Sequence, residues 1–198
     1  MADYATLTSW IKSFSHREDL DDKMAMFLEL AHNDIVQRLD WQAMEREETL
    51  STSRLIEAQL YAYELPDRFF QLRSVWVNGR PIPFREPGRL RTIAESGGGE
   101  ALAYSIVGEE LWLAPGATPP LIVYRKAPAK LDAGQVANEI SAFFPNLYLY
   151  SGLAHLHRYV QDGEEEQKAW DLFNREMAEA NRIASRQRTG STPAMEAV

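Results

Sequence analysis

Phe143–Arg186 reads FFPNLYLYSGLAHLHRYVQDGEEEQKAWDLFNREMAEANRIASR, two helical patterns joined by a short turn. The first pattern is apolar on nearly every side, and such a helix must be covered by protein all round. We expect Pro145 in its first turn, Asp162-Gly163 to end it with a left-handed residue, and Leu149 and Leu153 in the core. The second helix has one apolar stripe, formed by Trp170, Phe173, Met177, Ala180 and Ala184. The stretch therefore predicts an αα-hairpin whose first arm needs further neighbours.

The N-terminal end of the chain is predicted to supply those neighbours. A short helix is expected over roughly Leu7 to Phe14, followed by a longer one with Asp19 as its cap. The longer helix carries an apolar stripe made of Leu20, Met24, Phe27, Leu28, Ala31, Ile35 and Leu39. Residues 1–40 and 131–187 are therefore predicted to form one helical bundle, with residues 188–198 as a flexible tail.

The spacing of apolar residues in residues 41–130 differs from the helical spacing of the two ends of the chain. Turn residues recur every eight to twelve positions, and between them lie short runs rich in Val, Ile, Thr and aromatics, the pattern of an antiparallel sheet. Strands are predicted at Met44–Leu50, Gln59–Leu65, Gln71–Val77, Ile82–Phe84, Ala103–Ile106, Leu111–Leu113 and Leu121–Tyr124. Gly88 to Ala94 is expected to form a single helical turn, and Gly97 to Gly99 a flexible hairpin tip. The predicted fold is α+β, a helical bundle built from both chain ends with an inserted antiparallel β-rich region.

Composition excludes several classes of protein. The 198 residues include no cysteine, which removes thiolate metal sites and disulfide frameworks and fits a reducing compartment. The formal net charge of −8 argues against a nucleic-acid binder, because affinity for phosphate comes mostly from clustered Lys and Arg. No apolar run reaches the length of a membrane span. The excess negative charge is divided between residues 1–40 and 131–198, and residues 41–130 are balanced.

Candidate chemistry is sparse. His155 and His157 are two positions apart on a helix, about 200° around its axis, so they cannot share one metal. His16 and His32 are expected to be solvated. The carboxylate runs are neighbours only along the chain, which does not suit acid–base catalysis; they are Glu47-Glu48, Glu109-Glu110 and Glu164 to Glu166. We therefore expect no catalytic, metal or cofactor site and no enzyme activity.

Aromatic residues offer the other candidate feature. The five tryptophans and the Phe69-Phe70 pair are expected to lie mostly in the core. Trp41, Trp76 and Trp112 fall at predicted ends and turns, so a protein contact surface is the alternative interpretation.

Four ordered blocks between about Leu7 and Asn181 resemble a known family. Tyr63–Val75 is similar to its pattern L-P-x-D-F-L-x-L-R-x-V, and Pro145–Gly152 to P-D-L-Y-L-Y-G-A. The opening helix is similar to a pattern with an F-I-x-L-A-E core, with His32 in place of the acidic residue, through Arg17, Asp19, Leu20, Phe27, Leu28, Leu30, Ala31, Ile35 and Arg38. The remaining block comprises Tyr104, Ile106, Gly108, Leu111, Leu113, Pro115, Tyr124, Pro128 and Leu131-Asp132. Their order resembles the head-to-tail adaptor, or connector, proteins of tailed bacteriophages, particularly those of short-tailed phages.

The resemblance implies a structural protein. Such adaptors form a ring, usually a dodecamer, below the portal protein, link capsid to tail and leave a channel through which DNA passes as cargo. The implied partners are the portal protein, a tail or nozzle protein and further copies of the chain, with no membrane. The implied location is the neck or tail of the virion, after assembly in the host cytoplasm. A chain of this length has a radius of gyration of about 16 Å, too small to encircle a duplex alone.

The resemblance also implies a portal-docking tail, and its candidate residues are Arg182, Arg186, Arg188, Thr192 and Pro193. Arginines at the end of a helix also favour its negative pole without any partner. Two other functions stay open: another neck or tail-tube component of the virion, and a small bacterial ligand-binding protein or enzyme.

Overall fold

The computed structural model describes residues 2–96 and 102–189, with side-chain surroundings up to Ser185. Within these residues the chain forms six α-helices: α1 (Tyr4–Ser15), α2 (Met24–Arg38), α3 (Pro87–Glu95), α4 (Glu139–Phe143), α5 (Pro145–Tyr159) and α6 (Gly163–Thr189). The same residues form eight strands: β1 (Glu45–Thr49), β2 (Ser53–Glu57), β3 (Leu60–Glu64), β4 (Phe69–Val77), β5 (Arg80–Pro81), β6 (Ala103–Val107), β7 (Glu110–Ala114) and β8 (Leu121–Lys126). The α+β prediction is confirmed.

The chain divides into two compact units. One combines Met1–Ala43 with Pro128–Val198, and we call it the helical unit. The other is Met44–Ala127, the β-rich unit.

Helix α5 is the centre of the helical unit and packs against α1, α2 and α6. Leu149 and Leu153 are 4% and 7% exposed, which confirms them as core positions. The all-round burial predicted for the stretch is wrong at its ends, because Phe143 and Tyr159 are 68% and 51% exposed. Phe143 belongs to the separate helix α4, since α5 begins only at Pro145, in the position predicted for that proline.

The apolar stripes of the flanking helices also follow the sequence pattern. Every residue of the stripe predicted for α2, from Leu20 to Leu39, is buried. On α6 the stripe residues Phe173, Met177, Ala180 and Ala184 are buried, and Trp170 is half-buried. Because α5 is covered from three helices, each of them needs only one apolar face.

Two predicted helix ends are wrong. Asp19 does not cap α2, because its carboxylate accepts hydrogen bonds from Arg17 (2.7 Å) and a 3₁₀ turn at Asp21–Lys23 precedes the helix. The left-handed residue after α5 is Gln161, with φ of 62°. Asp162 instead accepts a hydrogen bond from the backbone N–H of Glu165 (3.3 Å), so it caps the start of α6.

The β-rich unit contains two four-stranded sheets with antiparallel pairing. The first has the order β1-β8-β4-β5, and the second has the order β2-β3-β7-β6. Alternation along β7 places Leu111 and Leu113 in a core shared by both sheets, together with Tyr63, Val75, Val77, Ile122 and Tyr124. The intervening Trp112 and Ala114 pack with Leu90 and Ile93 of α3 in a second cluster. The unit therefore has three layers, two sheets and one helix.

Most strand predictions match, and the exceptions have local causes. Ile82–Phe84 is not a strand: Pro83 lacks the N–H that a ladder needs, and only Phe84 makes an isolated bridge, to Tyr104. Strands β2 and β5 are not among the predicted strands. The predicted single turn at Gly88 to Ala94 is the nine-residue helix α3, and the predicted tip at Gly97 to Gly99 lies outside the described residues. Asn78 and Gly79, with φ of 50° and 73°, form the two-residue loop between β4 and β5.

Candidate functional site

The predicted docking residues divide at the end of α6. Arg182 is 48% exposed and pairs with Glu179 one turn earlier, its Nε lying 2.7 Å from Oε2; this hydrogen bond raises the pKa of Arg182. Arg186 and Arg188 belong to the α6 backbone, which continues to Thr189. Their side chains, and the whole of Thr192 and Pro193, lie outside the described residues.

The C-terminal half of α6 is fixed to the end of α2 by Asn181. Its Oδ1 accepts a hydrogen bond from the backbone N–H of Asp40 (2.9 Å), and its Nδ2 donates to the carbonyl of Arg38 (3.1 Å). The second bond satisfies a carbonyl that the C-terminal end of a helix leaves free. The guanidinium of Arg38 lies over the rings of Trp170 and Phe173, at 5.6 and 5.4 Å. The base of the predicted docking segment is therefore held by specific polar contacts.

The two histidines of α5 have different neighbours, as their spacing predicts. Nε2 of His155 lies 2.7 Å from Oδ2 of Asp34, which also accepts a hydrogen bond from Ser151 (3.1 Å). Burial opposes ionisation of Asp34, but these two hydrogen bonds outweigh it and lower its pKa. Nδ1 of His157 lies 3.9 Å from Oδ2 of Asp162. Because the serine and the histidine both contact the carboxylate, the cluster is not arranged as a Ser-His-Asp relay.

A second polar network was not predicted from the sequence. His32 was expected to be solvated, yet it is 4% exposed. Nδ2 of Asn138 donates to the Tyr148 oxygen (2.9 Å), which leaves the hydroxyl proton of Tyr148 for Nδ1 of His32 (2.8 Å). Burial lowers the pKa of His32 to about 4 and raises that of Tyr148. The network joins α2, α5 and the residue that caps α4.

The carboxylate runs have structural partners. Glu48 accepts a hydrogen bond from the Tyr124 hydroxyl (3.1 Å), and burial together with this bond raises the pKa of Tyr124 to about 12. Glu110 accepts hydrogen bonds from Trp112 (3.0 Å) and Arg54 (2.7 Å). In the third run Lys168 bridges two carboxylates and Arg158 pairs with the third, involving Glu164, Glu165 and Glu166. Within residues 2–96 and 102–189 no group of three or more His, Asp or Glu side chains could hold a metal ion.

The tryptophans proposed as an alternative contact surface are largely internal. Trp41 and Trp112 are 4% and 8% exposed, which agrees with the core interpretation. Trp76 is half-buried and donates to the Ser74 hydroxyl (2.8 Å). Among the described residues, the most exposed large apolar side chains are Phe143, Phe14 and Leu55, at 68%, 63% and 55%. Val136 and Phe84 follow at 54% and 53%.

None of the helices in the described ranges has both the length and the apolar character needed to cross a membrane.

The family described as SU10 adaptor protein matches residues 2–195, nearly the whole chain. No curated protein matches the sequence.

Proposed function

The chain belongs to the SU10 adaptor protein family, and from this premise we propose that it forms a ring below the portal of a tailed phage. The ring, which we expect to be a dodecamer, would link capsid to tail and leave a channel for DNA. The family match over residues 2–195 carries this proposal, because it spans both units. A phage adaptor is a structural component of the virion neck and is normally not an enzyme.

The helical unit suits a structural platform. Its central helix α5 is covered by α1, α2 and α6, and the polar contacts of Asp34, Tyr148 and Asn181 tie separate parts of the chain together. Buried polar networks with satisfied partners favour one arrangement of the packed helices. A subunit that repeats identical contacts around a ring needs such a defined arrangement.

Charge supports the proposed channel. The helical unit carries eleven basic and eighteen acidic residues, a net charge of −7, and the β-rich unit carries ten and eleven, a net charge of −1. Neither unit has the excess of Lys and Arg that retains DNA. A duplex would therefore pass as cargo and be repelled by like charge.

We place portal docking at the end of α6 and the residues beyond it. Asn181 fixes α6 to the end of α2, so Arg186 and Arg188 follow a fixed point. We propose Arg186 and Arg188 as partners of portal carboxylates. Arg182, which pairs with Glu179, and Thr192 and Pro193 are further candidate contacts. Arginine suits this role because its guanidinium can bind a carboxylate through two hydrogen bonds.

Two variants test the docking site separately. One lacks residues 190–198, and the other carries Arg186→Gln with Arg188→Gln. Both should keep the melting temperature and bind the portal of the same phage more weakly, measured by mass photometry of mixed samples. Arg175→Gln on the exposed surface of α6 is the control and should bind normally. Unaltered portal affinity in both variants would refute the docking role.

Another neck or tail-tube component remains the alternative. It shares the ring but not the neighbours, so binding to the isolated portal and to the tail or nozzle protein separates the two. An adaptor should bind both, whereas a tail-tube protein should bind only tail components. Failure to bind either would favour the remaining alternative, a small ligand-binding protein or enzyme.

A further inference from the structure

One surface segment of the β-rich unit is unusually exposed and basic. Residues 80–89, here called the arginine segment, run from β5 to the first turn of α3, and nine of the ten are exposed. The segment contains three arginines and one glutamate, in a chain whose total charge is −8. Phe84 at its centre is 53% exposed. Arginine and aromatic residues are enriched in protein interfaces.

The arginine segment is also held in a fixed shape. It contains three prolines, each of which fixes its own φ angle. The backbone N–H of Arg85 donates to the carbonyl of Tyr104 (2.8 Å), and the N–H of Tyr104 donates to the carbonyl of Pro83 (3.1 Å). The Phe84 ring packs edge-on against the Tyr104 ring with 5.8 Å between centroids. A segment fixed before binding loses little conformational freedom when it docks.

Two arginines of the segment, Arg80 and Arg85, have no carboxylate within ion-pair distance among the residues that the structure describes. Nη1 of Arg85 donates to the carbonyl of Phe84 (3.1 Å). These guanidiniums therefore present donors suited to carboxylates on another surface.

The helical unit carries a groove in which carboxylates outnumber basic side chains. It has a volume of about 880 Å³, lies beside the end of α1 and is lined by three carboxylates, Glu18, Asp19 and Asp21. The other lining residues are Lys12, His16, Ser9 and Ser13. The carboxylates of Asp19 and Asp21 are 62% and 65% exposed, although they pair with Arg17 and Lys12. Such exposed ion pairs are weak and can exchange partners. We call this surface the acidic groove.

We propose that the arginine segment of one copy docks into the acidic groove of a second copy. The two surfaces are complementary in charge and differ in sequence, so the contact is head-to-tail and repeats from copy to copy, as a ring requires. This inference rests on the proposed ring and names its contact surfaces. Duplex DNA is a poorer occupant, because the net charge of −8 repels a polyanion and two or three arginines give few phosphate contacts.

Disulfide trapping tests the contact directly, since the chain has no cysteine of its own. Ser13→Cys marks the acidic groove, and Gly88→Cys marks the arginine segment, where an added Cβ meets no atom within 4 Å. Mixing the two variants, one with a size tag, should give disulfide-linked heterodimers in excess of random pairing. Ala178→Cys on the exposed surface of α6 replaces Ser13→Cys as the control and should not give this excess. Random pairing in both mixtures would overturn the proposal.

Charge reversal identifies the cause of any crosslink. Adding Arg85→Glu to the Gly88→Cys variant should abolish the heterodimer, and adding Asp19→Lys to the Ser13→Cys partner should restore it. Raising salt from about 0.1 M to about 1 M shortens the Debye length from about 10 Å to about 3 Å and should weaken the crosslink. A crosslink that survives Arg85→Glu and high salt would overturn the proposal. So would an Arg85-dependent gel shift of a short DNA duplex without crosslinking.

The crosslinking experiment and the portal-binding experiment can fail independently of each other. Adaptor rings on the portal without specific crosslinking would leave the ring standing and refute these two surfaces. Specific crosslinking without portal binding would support the contact and refute the adaptor role.

Discussion

Gly152 lies where α1 crosses α5, and replacing it with alanine sets two effects against each other. Alanine in a helix interior is more favourable than glycine by about 1 kcal/mol. A Cβ at this position, however, would lie 2.6 Å from Cδ1 of Ile11, which must then move. Ile11 is completely buried and its branched side chain has few rotamers, so the overpacking cost should lie in the upper part of the usual range, at about 2–3 kcal/mol, and exceed the gain. We expect Gly152→Ala to lower the free energy of unfolding by about 1–2 kcal/mol, and the melting temperature by about 2–8 °C.

A double-mutant cycle checks the cause. Ile11→Val removes the clashing methyl group and alone should cost about 0.5–1.5 kcal/mol. In the Ile11→Val background, Gly152→Ala should be neutral or stabilising, which gives a coupling of at least about 1 kcal/mol between the two sites. Urea unfolding followed by circular dichroism measures all four proteins. A single Gly152→Ala variant as stable as the parent, or additive effects of the two changes, would show that the close approach does not limit the packing of α1 on α5.

Three further predictions concern the same unit. Leu153→Ala should cost about 2–5 kcal/mol in urea unfolding, because it empties a buried position; an unchanged midpoint would contradict the helical core. Tyr148→Phe should cost about 1–3 kcal/mol, since His32 and Asn138 lose a buried partner; Tyr150→Phe on the half-buried side is the control. The folded-state pKa of His32, about 4, lies below its ordinary 6.5, so the unfolded chain takes up the proton first. Stability should therefore fall between pH 6.5 and pH 4, by up to about 3 kcal/mol, and His32→Gln should remove that part of the pH profile.

Periodicity predicted the parts of the fold that burial of one face decides. The stripes of α2 and α6, the buried α5 and most strands follow from the spacing of apolar residues. Strand β2 was not predicted because it is an edge strand. Four of its five residues are exposed, so its sequence shows no alternation of apolar and polar residues. Ile82–Phe84 has the apolar residues of a strand, but Pro81 before it and Pro83 within it lack the N–H groups that a ladder needs.

The polar contacts could not be predicted, because each depends on a partner that is distant in sequence. The residues around His32 do not predict its contact with Tyr148, which lies 116 residues away. The spacing of His155 likewise does not predict its contact with Asp34. The predicted N-cap of α2 was wrong for a related reason. Asp19 has the residue type of a cap, but a nearer competitor, Arg17, binds its carboxylate. Local patterns give the types of residue that suit a position, and packing then decides which partner each one meets.

Helix α5 combines apolar burial with contacts that fix position. Tyr148, Ser151 and His155 bind groups on α2, and Gly152 admits Ile11 of α1. Apolar burial is non-directional, whereas a hydrogen-bonded pair or a tight approach is lost when one helix shifts by a turn along another. Removing any one of them should therefore cost uniqueness of packing as well as stability. For a subunit that we propose repeats head-to-tail, a small error in helix position would be multiplied at every contact around the ring, and this gives the polar residues of α5 a role that stability alone does not require.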